Sequence, residues 1–399
     1  MARSPHVLIA GAGIGGLAAA LALLKRGIDV DVYEQAAELR EVGAGVQISA
    51  NGNRVLYALG LERPMRDLAC EAAGKEIRLW NSGQTWKLFD LGQESVKRYG
   101  YPYFTVYRPD LLGMLAEAVQ QEKPGAIHLG ARCNELRQSA DAVRLGIEGG
   151  AQIEGDVLIG ADGVRSRVRQ VLFGDEQPAF TGLMAWRFTV PMDRVPAHMR
   201  RPVGTNWIGP GSHVVHYPVH RGDRMNVVGV IERSDWQVES WTVRGTHEEC
   251  LRDFEGWNGD VRALVAAAPE LYKWALMLRQ PRERWTDRRV TLLGDAAHPT
   301  LPFLAQGAVM AIEDGFVLAR CIEQWPQDLP QALARYEQAR RERTRRVVTG
   351  SAANTQLFQD RVLADPAGAQ AYVDREWQPD RVRERYEWLF TYDAGTAAI

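Results

Sequence analysis

Residues 6–34 read HVLIAGAGIGGLAAALALLKRGIDVDVYE, and this stretch decides the fold. Residues 6–10 are an apolar run of strand length, 11–16 are turn-like, and 17–26 carry a helical pattern that Gly27 stops. The alternating residues 28–33 are a second strand. Together they make a βαβ unit, whose right-handed crossover sets its two strands parallel in one sheet. Gly11, Gly13, Gly15 and Gly16 satisfy G-x-G-x-x-G in the context that gives the motif meaning, directly after a strand and opening a helix. Gly11 permits the tight turn, Gly13 lets the backbone approach a pyrophosphate, and Gly16 lets the helix pack closely on the sheet, while the helix N-terminus faces the phosphates. Glu34 ends the second strand. Its carboxylate accepts hydrogen bonds from a ribose with two free hydroxyls and repels a 2′-phosphate, so the dinucleotide expected is FAD or NAD rather than NADP.

The uncharged run 7–24 is not a signal peptide or a membrane span, because the four glycines interrupt it and Lys25, Arg26 and Gly27 close it. The 399 residues, 46% hydrophobic and 25% charged, suit two or three packed domains and exclude a disordered or low-complexity chain. With 48 Lys and Arg against 50 Asp and Glu, the net charge of -2 offers no general attraction to nucleic acid or to an anionic membrane. Any charged ligand must be held locally. Cys70, Cys133, Cys250 and Cys321 are too widely spaced for a CxxC metal or redox pair, so no metal is expected and a reducing cytoplasm fits best.

Further along, residues 290–293 are a strand ending at Gly294-Asp295, and 308–325 have helical periodicity. Between the two α/β passages, 183–190, 214–219 and 225–231 alternate like strands of an antiparallel sheet. The fold expected is α/β: a Rossmann-like core of the glutathione-reductase type, an inserted antiparallel-sheet domain and a C-terminal helical segment. Its boundaries are read as 1–177 and 286–350 for the core, 178–285 for the insertion and 351–399 for the helical end. The Arg-rich helix 329–348, with Arg340, Arg341, Arg343, Arg345 and Arg346 tempered by Glu337 and Glu342, reads as a solvated face.

Two more motifs sit in strand-to-helix turns. Gly160-Ala-Asp162-Gly163-Val-Arg165-Ser166 follows the apolar residues 157–159 and leads into a helix with Arg165 and Arg169 in its first turns, so amide and guanidinium donors converge there. Gly294-Asp295-Ala-Ala-His298-Pro299 lies at the carboxyl end of its strand, where ligands of an open α/β sheet collect, and Gln306-Gly307-Ala308 opens the next helix. With the glycine fingerprint and Glu34, in this order, these motifs resemble the single-component FAD-dependent aromatic hydroxylases. That group includes salicylate hydroxylase, 3-hydroxybenzoate 6-hydroxylase and 6-hydroxynicotinate monooxygenase, and the resemblance runs through nearly the whole chain. It implies bound FAD, with NADH or NADPH as co-substrate. It also implies that Asp162 and Gly163 serve FAD and the pyridine nucleotide, and that Asp295 holds the ribityl and pyrophosphate region. The Gly307 and Ala308 amides would face the flavin edge and stabilise the anionic reduced ring. Gly45 and Val46, in the small-residue segment 43–47, would lie beside the isoalloxazine, Arg40 would bind the ribose or phosphate side, and Arg108 with Leu112 would start a helix near FAD.

Ring hydroxylation needs an electrophilic oxygen that no side chain supplies, so the resemblance implies that NAD(P)H reduces FAD and O2 then gives a flavin hydroperoxide. Deprotonating a substrate phenol activates its ortho and para carbons, so a base of near-neutral pKa is expected in the pocket. Within 211–219, strand alternation puts His213 and Tyr217 on one face and His216 on the other. Relatives place a histidine and a tyrosine in this H-x-x-x-Y arrangement near the phenol oxygen, which makes His213 the expected base and Tyr217 a positioning hydroxyl. Gln47, Tyr103, Trp186, Pro302, Phe303 and Gln306 are the residues expected to frame the substrate.

The relatives split over which aromatic acid it is. Leu301-Pro302-Phe303 departs from the Leu-Gln of the 3-hydroxybenzoate enzymes, whereas Val-His216-Tyr217-Pro resembles them. A hydroxynicotinate-type monooxygenase, an FAD-dependent dehydrogenase or oxidase, and an FAD-binding redox protein without turnover are the alternatives. The aromatic C-terminal stretch 377–399 reads as packing on the core, with a homodimer contact as the alternative.

Overall fold

The computed structural model describes residues 4–39, 44–236 and 243–399. In chain order, the elements that matter for the site begin with β1 (His6–Ala10), α1 (Ile14–Leu24), β2 (Asp29–Tyr33), β3 (Gly45–Ile48), β4 (Gly74–Leu79), β5 (Thr85–Asp90), β6 (Phe104–Tyr107) and α2 (Arg108–Glu122). They continue with β7 (Val157–Gly160), α3 (Arg167–Phe173), β8 (Ala179–Pro191), β9 (Val203–Gly209), β10 (Ser212–Val219), β11 (Arg224–Glu232), β12 (Leu271–Leu278) and β13 (Val290–Leu292). The chain closes through α4 (Gly307–Gln324), α5 (Leu329–Gln359), α6 (Pro366–Glu376) and α7 (Pro379–Phe390).

The expected α/β core is present. Val7, Leu8, Ile9, Val30, Val32, Val157, Leu158 and Ile159 are wholly buried, as central strands covered on both faces require. The six-stranded sheet runs Thr286–Asp287, β13, β7, β1, β2, Ile127–His128, and all its pairings are parallel except that of Thr286–Asp287 with β13. Its register aligns Ala10 with Gly160, and Gly160 with Leu292. The three motifs therefore leave the sheet side by side at one carboxyl edge.

The inserted material forms an eight-stranded sheet in the order Arg244–Gly245, β12, β8, β11, β10, β9, β4, β5. Its pairings are antiparallel except that β4 runs parallel to β9, so two strands from the first hundred residues extend the sheet. One face carries Trp186, Phe188, Trp207 and Val214 into a core with Phe254 and Leu264. The other carries Ile77, Leu79, Ala185, Ile208 and Val230 against Phe358, Tyr372, Trp377, Tyr386 and Phe390 of the C-terminal helices. The aromatic C-terminus thus covers this chain's own sheet. Helix α5 passes unbroken through residue 350, so the boundary expected there is not a break in the structure.

Candidate active site

The glycine turn has the conformation its sequence requires. Gly11 has φ +105°, and a Cβ there would meet the Ala161 carbonyl oxygen at 2.5 Å. A Cβ on Gly16 would lie 2.0 Å from the Gly11 oxygen, and one on Gly15 would strike Leu293 and Ala311. A Cβ on Gly13, by contrast, would meet nothing of the protein within 4 Å, so that side of the turn opening α1 is free. Glu34 accepts from the amides of Ala12, at 2.8 Å, and Ala36, at 2.9 Å, which fixes its carboxylate beside that turn. This is a cradle for a dinucleotide.

The other two motifs are joined to it. Asp162 Oδ2 accepts from the amides of Arg167 and Val168 at the start of α3, and its Oδ1 is buried with no partner. Gly163 takes φ +77° with open space beside it. Arg169 reaches from α3 to donate to the Ala296 carbonyl at 2.9 Å, tying the second motif to the third. Asp295 is exposed within the cleft. Desolvation by the neighbouring protein pushes its carboxyl above the usual range, against the pull of Arg108, His298 and Arg169. Gly307 and Ala308, half-buried, open α4, and Arg108 opens α2, where its amide donates to Ala44. Leu112 differs from expectation: its side chain belongs to the core beneath α1, a packing role. Arg40 and Gly43 lie outside the described residues. The orphaned Asp162 oxygen, the open Gly13 and the cleft-facing Asp295 fit FAD laid along this edge.

Beside it, β3 carries Gly45, Val46 and Gln47 next to the second sheet. The Gly45 amide donates to Asn226 Oδ1 at 2.6 Å, and a Cβ at Gly45 would lie 2.6 Å from the Tyr217 ring, so only glycine permits this approach. Val46 faces Val106 across the β3–β6 pair. Gln47 accepts from Tyr103 Oη at 2.7 Å, Tyr103 Oη accepts from Lys75 Nζ at 2.7 Å, and Gln47 also acts on the Tyr217 hydroxyl, pulling its pKa down against burial. Burial raises both tyrosines, so they remain hydroxyl donors at neutral pH. Arg187, on the same sheet face, exerts its charge on Tyr217 and lies over the Trp274 ring.

Three expectations are corrected. His213 is on the predicted face, but it is buried between Phe303 and Phe358, with Nδ1 bonded to Gln359 Nε2 at 2.9 Å. Desolvation lowers its pKa to about 3, so it is a neutral ring at working pH and no near-neutral base. Trp186 points into the opposite core, where its indole donates to Asp253 at 2.8 Å. Alternation along β8 gives the cleft face to Arg187 instead. Gln306 is buried, its Nε2 donating to Ser49 and its Oε1 accepting from Asn51 in the helix Ala50–Ala58, so it knits that helix to α4 and is not free to touch a substrate. Phe303 stays beside His213, and Pro302 is exposed on the turn before it.

The Arg-rich helix also differs from the solvated face expected. Arg340 is 0% exposed and bonds Asp314 and Glu313 of α4, each at 2.7 Å, while Arg343 bonds Glu313 at 2.8 Å. His298 joins Asp314 at 2.7 Å. Burial would raise Asp314, but His298 and Arg340 outweigh it and hold the carboxyl at about 2. Reading charge along the helix missed this because Glu313 and Asp314 sit in another, mostly apolar helix. Lys75 was missed because an isolated lysine on a strand has no motif.

Three motif turns side by side at one sheet edge, with a tyrosine-lined sheet face beside them, are the arrangement of a flavin-dependent aromatic hydroxylase, and residues 5–351 match the family model described as FAD binding domain. The chain belongs to that family. It is 37% identical over 390 residues to the 3-amino-4-hydroxybenzoate 2-monooxygenase of Streptomyces platensis, covering 98% of this chain and 96% of the relative. To the 3-hydroxybenzoate 6-hydroxylase of Polaromonas naphthalenivorans it is 34% identical over 394 residues, with the same coverage. The structure of Klebsiella pneumoniae HpxO complexed with FAD and uric acid superposes with a TM-score of 0.81 at 27% identity, covering 95% of this chain and 96% of that one. FAD is thus the cofactor, with NADH or NADPH the usual reductant of the class. Among the described residues no helix is long and apolar enough to cross a membrane.

Proposed function

We propose that this enzyme hydroxylates the ring of a small phenolic acid, a hydroxybenzoate or a close relative such as a hydroxynicotinate. The observation that carries this reading is the run of hydrogen bonds from Lys75 through Tyr103 to Gln47, with the Tyr217 ring packed against Gly45 of the same strand β3. The names of the relatives support it, since each describes an aromatic ring bearing a hydroxyl and a carboxylate.

Bound FAD, reduced by NADH or NADPH and exposed to O2, supplies the electrophilic oxygen. This chain's residues do the rest. Tyr217, held protonated, donates to the substrate's phenol oxygen and favours the electron-rich phenolate. His213 and Phe303 form an uncharged wall that keeps water from the reacting carbon. All four cysteines are free, which supports a reducing cytoplasm.

The test is NADH and O2 consumption by the FAD-loaded enzyme with a panel of hydroxybenzoates and hydroxynicotinates, followed by product mass. A gain of one oxygen with one isomer names the substrate, and loss of the carboxylate in the same step marks salicylate-type chemistry. If no acid raises consumption above the unliganded rate, the phenolic-acid reading fails.

A further inference from the structure

Lys75 occupies an unusual place for a cation. It stands on β4 with Gly204 as its neighbour on β9, and because that glycine has no side chain the lysine stem lies over it, its Cγ 3.5 Å and its Cε 3.8 Å from where a Cβ would be. This carries Nζ over the Tyr103 ring, 4.6 Å from its centre, and within 2.7 Å of the Tyr103 hydroxyl. Phe89 of β5 lies on another side, its ring centre 6.0 Å away. Among the described residues no carboxylate pairs with it, whereas Arg78 on the same strand bonds Glu76 and Lys273 of β12 bonds Glu249. Desolvation with no opposing charge brings the ammonium to about pKa 7. An ammonium has three donors, and Tyr103 takes one.

We propose that Lys75 receives the substrate's carboxylate, with Tyr103 as an auxiliary donor, and is the residue that selects aromatic acids over neutral phenols. This rests on the phenolic-acid reading above and assigns the far end of the same site. Lys75 and Gln47 are the two ends of one hydrogen-bonded chain and Gln47 acts on Tyr217, so a ligand with its phenol at the Tyr217 end and its carboxylate at the Lys75 end satisfies both. The arriving carboxylate supplies the counter-charge that the protein withholds, and it forms a charge-assisted hydrogen bond in a site of low polarity.

The experiment is calorimetric titration of the FAD-loaded protein with 3-hydroxybenzoate, salicylate and 6-hydroxynicotinate, each paired with its neutral carboxamide. It uses the natural chain, Lys75→Met and Lys75→Arg, and needs no turnover. The natural enzyme should prefer an acid to its amide. Lys75→Met should weaken that acid about 10- to 100-fold while moving the amide by less than about 3-fold, and Lys75→Arg should restore part of the preference. Equal weakening of acid and amide in Lys75→Met, or none, overturns the assignment and leaves the phenolic-acid reading standing. If the natural enzyme binds none of the acids, that reading fails and the assignment falls with it.

Discussion

Gly13 and Gly16 differ in what a single methyl group would do. At Gly16 the methyl would meet backbone oxygen at 2.0 Å, whereas at Gly13 it would project into the cleft without touching protein. Gly16→Ala should therefore lower the melting temperature of the apoprotein, while Gly13→Ala should leave it unchanged and weaken FAD by at least about 10-fold, since the backbone must approach the pyrophosphate there. Apoprotein melting and FAD titration separate the two. His213 offers a second contrast. Removing a general base ordinarily costs about 10²- to 10⁴-fold, but an imidazole of pKa about 3 is too weak a base to take a phenol's proton. His213→Asn should stay within about 10-fold of the natural kcat and keep the same pH profile. Loss of a near-neutral limb would return His213 to the role of base. At this scale the sequence was legible where one residue type is obligatory, as at Gly11 and Gly16. It was less so where the environment decides, because burial turned His213 from a titrating group into a neutral one and no local pattern reveals that.

Among the elements, α5 is the most instructive. Its arginines look alike in sequence, yet Arg340 is locked between Glu313 and Asp314 while Arg345 is exposed beside Glu342. Arg340→Met leaves two buried carboxylates short of a partner and should cost about 3–5 kcal/mol in urea unfolding. Arg345→Met should stay within about 0.5 kcal/mol. Similar costs for the two would mean that the buried cluster rearranges without loss. Strands and helices themselves were readable from their periods: 225–231 is the middle of β11, and 308–325 matches α4 to within a residue. What periodicity could not give is which helix faces which, and that pairing is what buries Arg340. The same gap explains Trp186. Alternation put it on one face of β8, but only the order of strands in the sheet says which face looks at the cleft.

For the molecule as a whole, buried histidines and carboxylates act together as pH falls. Burial holds His213 and His216 at about pKa 3, below the ordinary histidine value of 6.5. The unfolded chain therefore binds protons first, so stability is intact above pH 6.5 and declines as pH drops toward 3, by about 1.4 kcal/mol per pH unit for each ring. Asp314, lowered from 3.8 to about 2, adds a loss that starts below 3.8 and ends near 2. Thermal melts across pH 7 to 4 should show the histidine slope, and His216→Phe should remove about half of it. A slope unchanged by that substitution would assign the acid sensitivity elsewhere.

The parallel pairing of β4 with β9 has a consequence for the life of the chain before it is folded. Residues 74–90 emerge from the ribosome long before residues 203–209, and until then the β4 edge has no strand to take its amides and carbonyls. The nascent polypeptide must carry an open, adhesive border for more than a hundred residues of synthesis. Half-made chains are therefore where this protein is most exposed to aggregation, and where a chaperone's grip would count most.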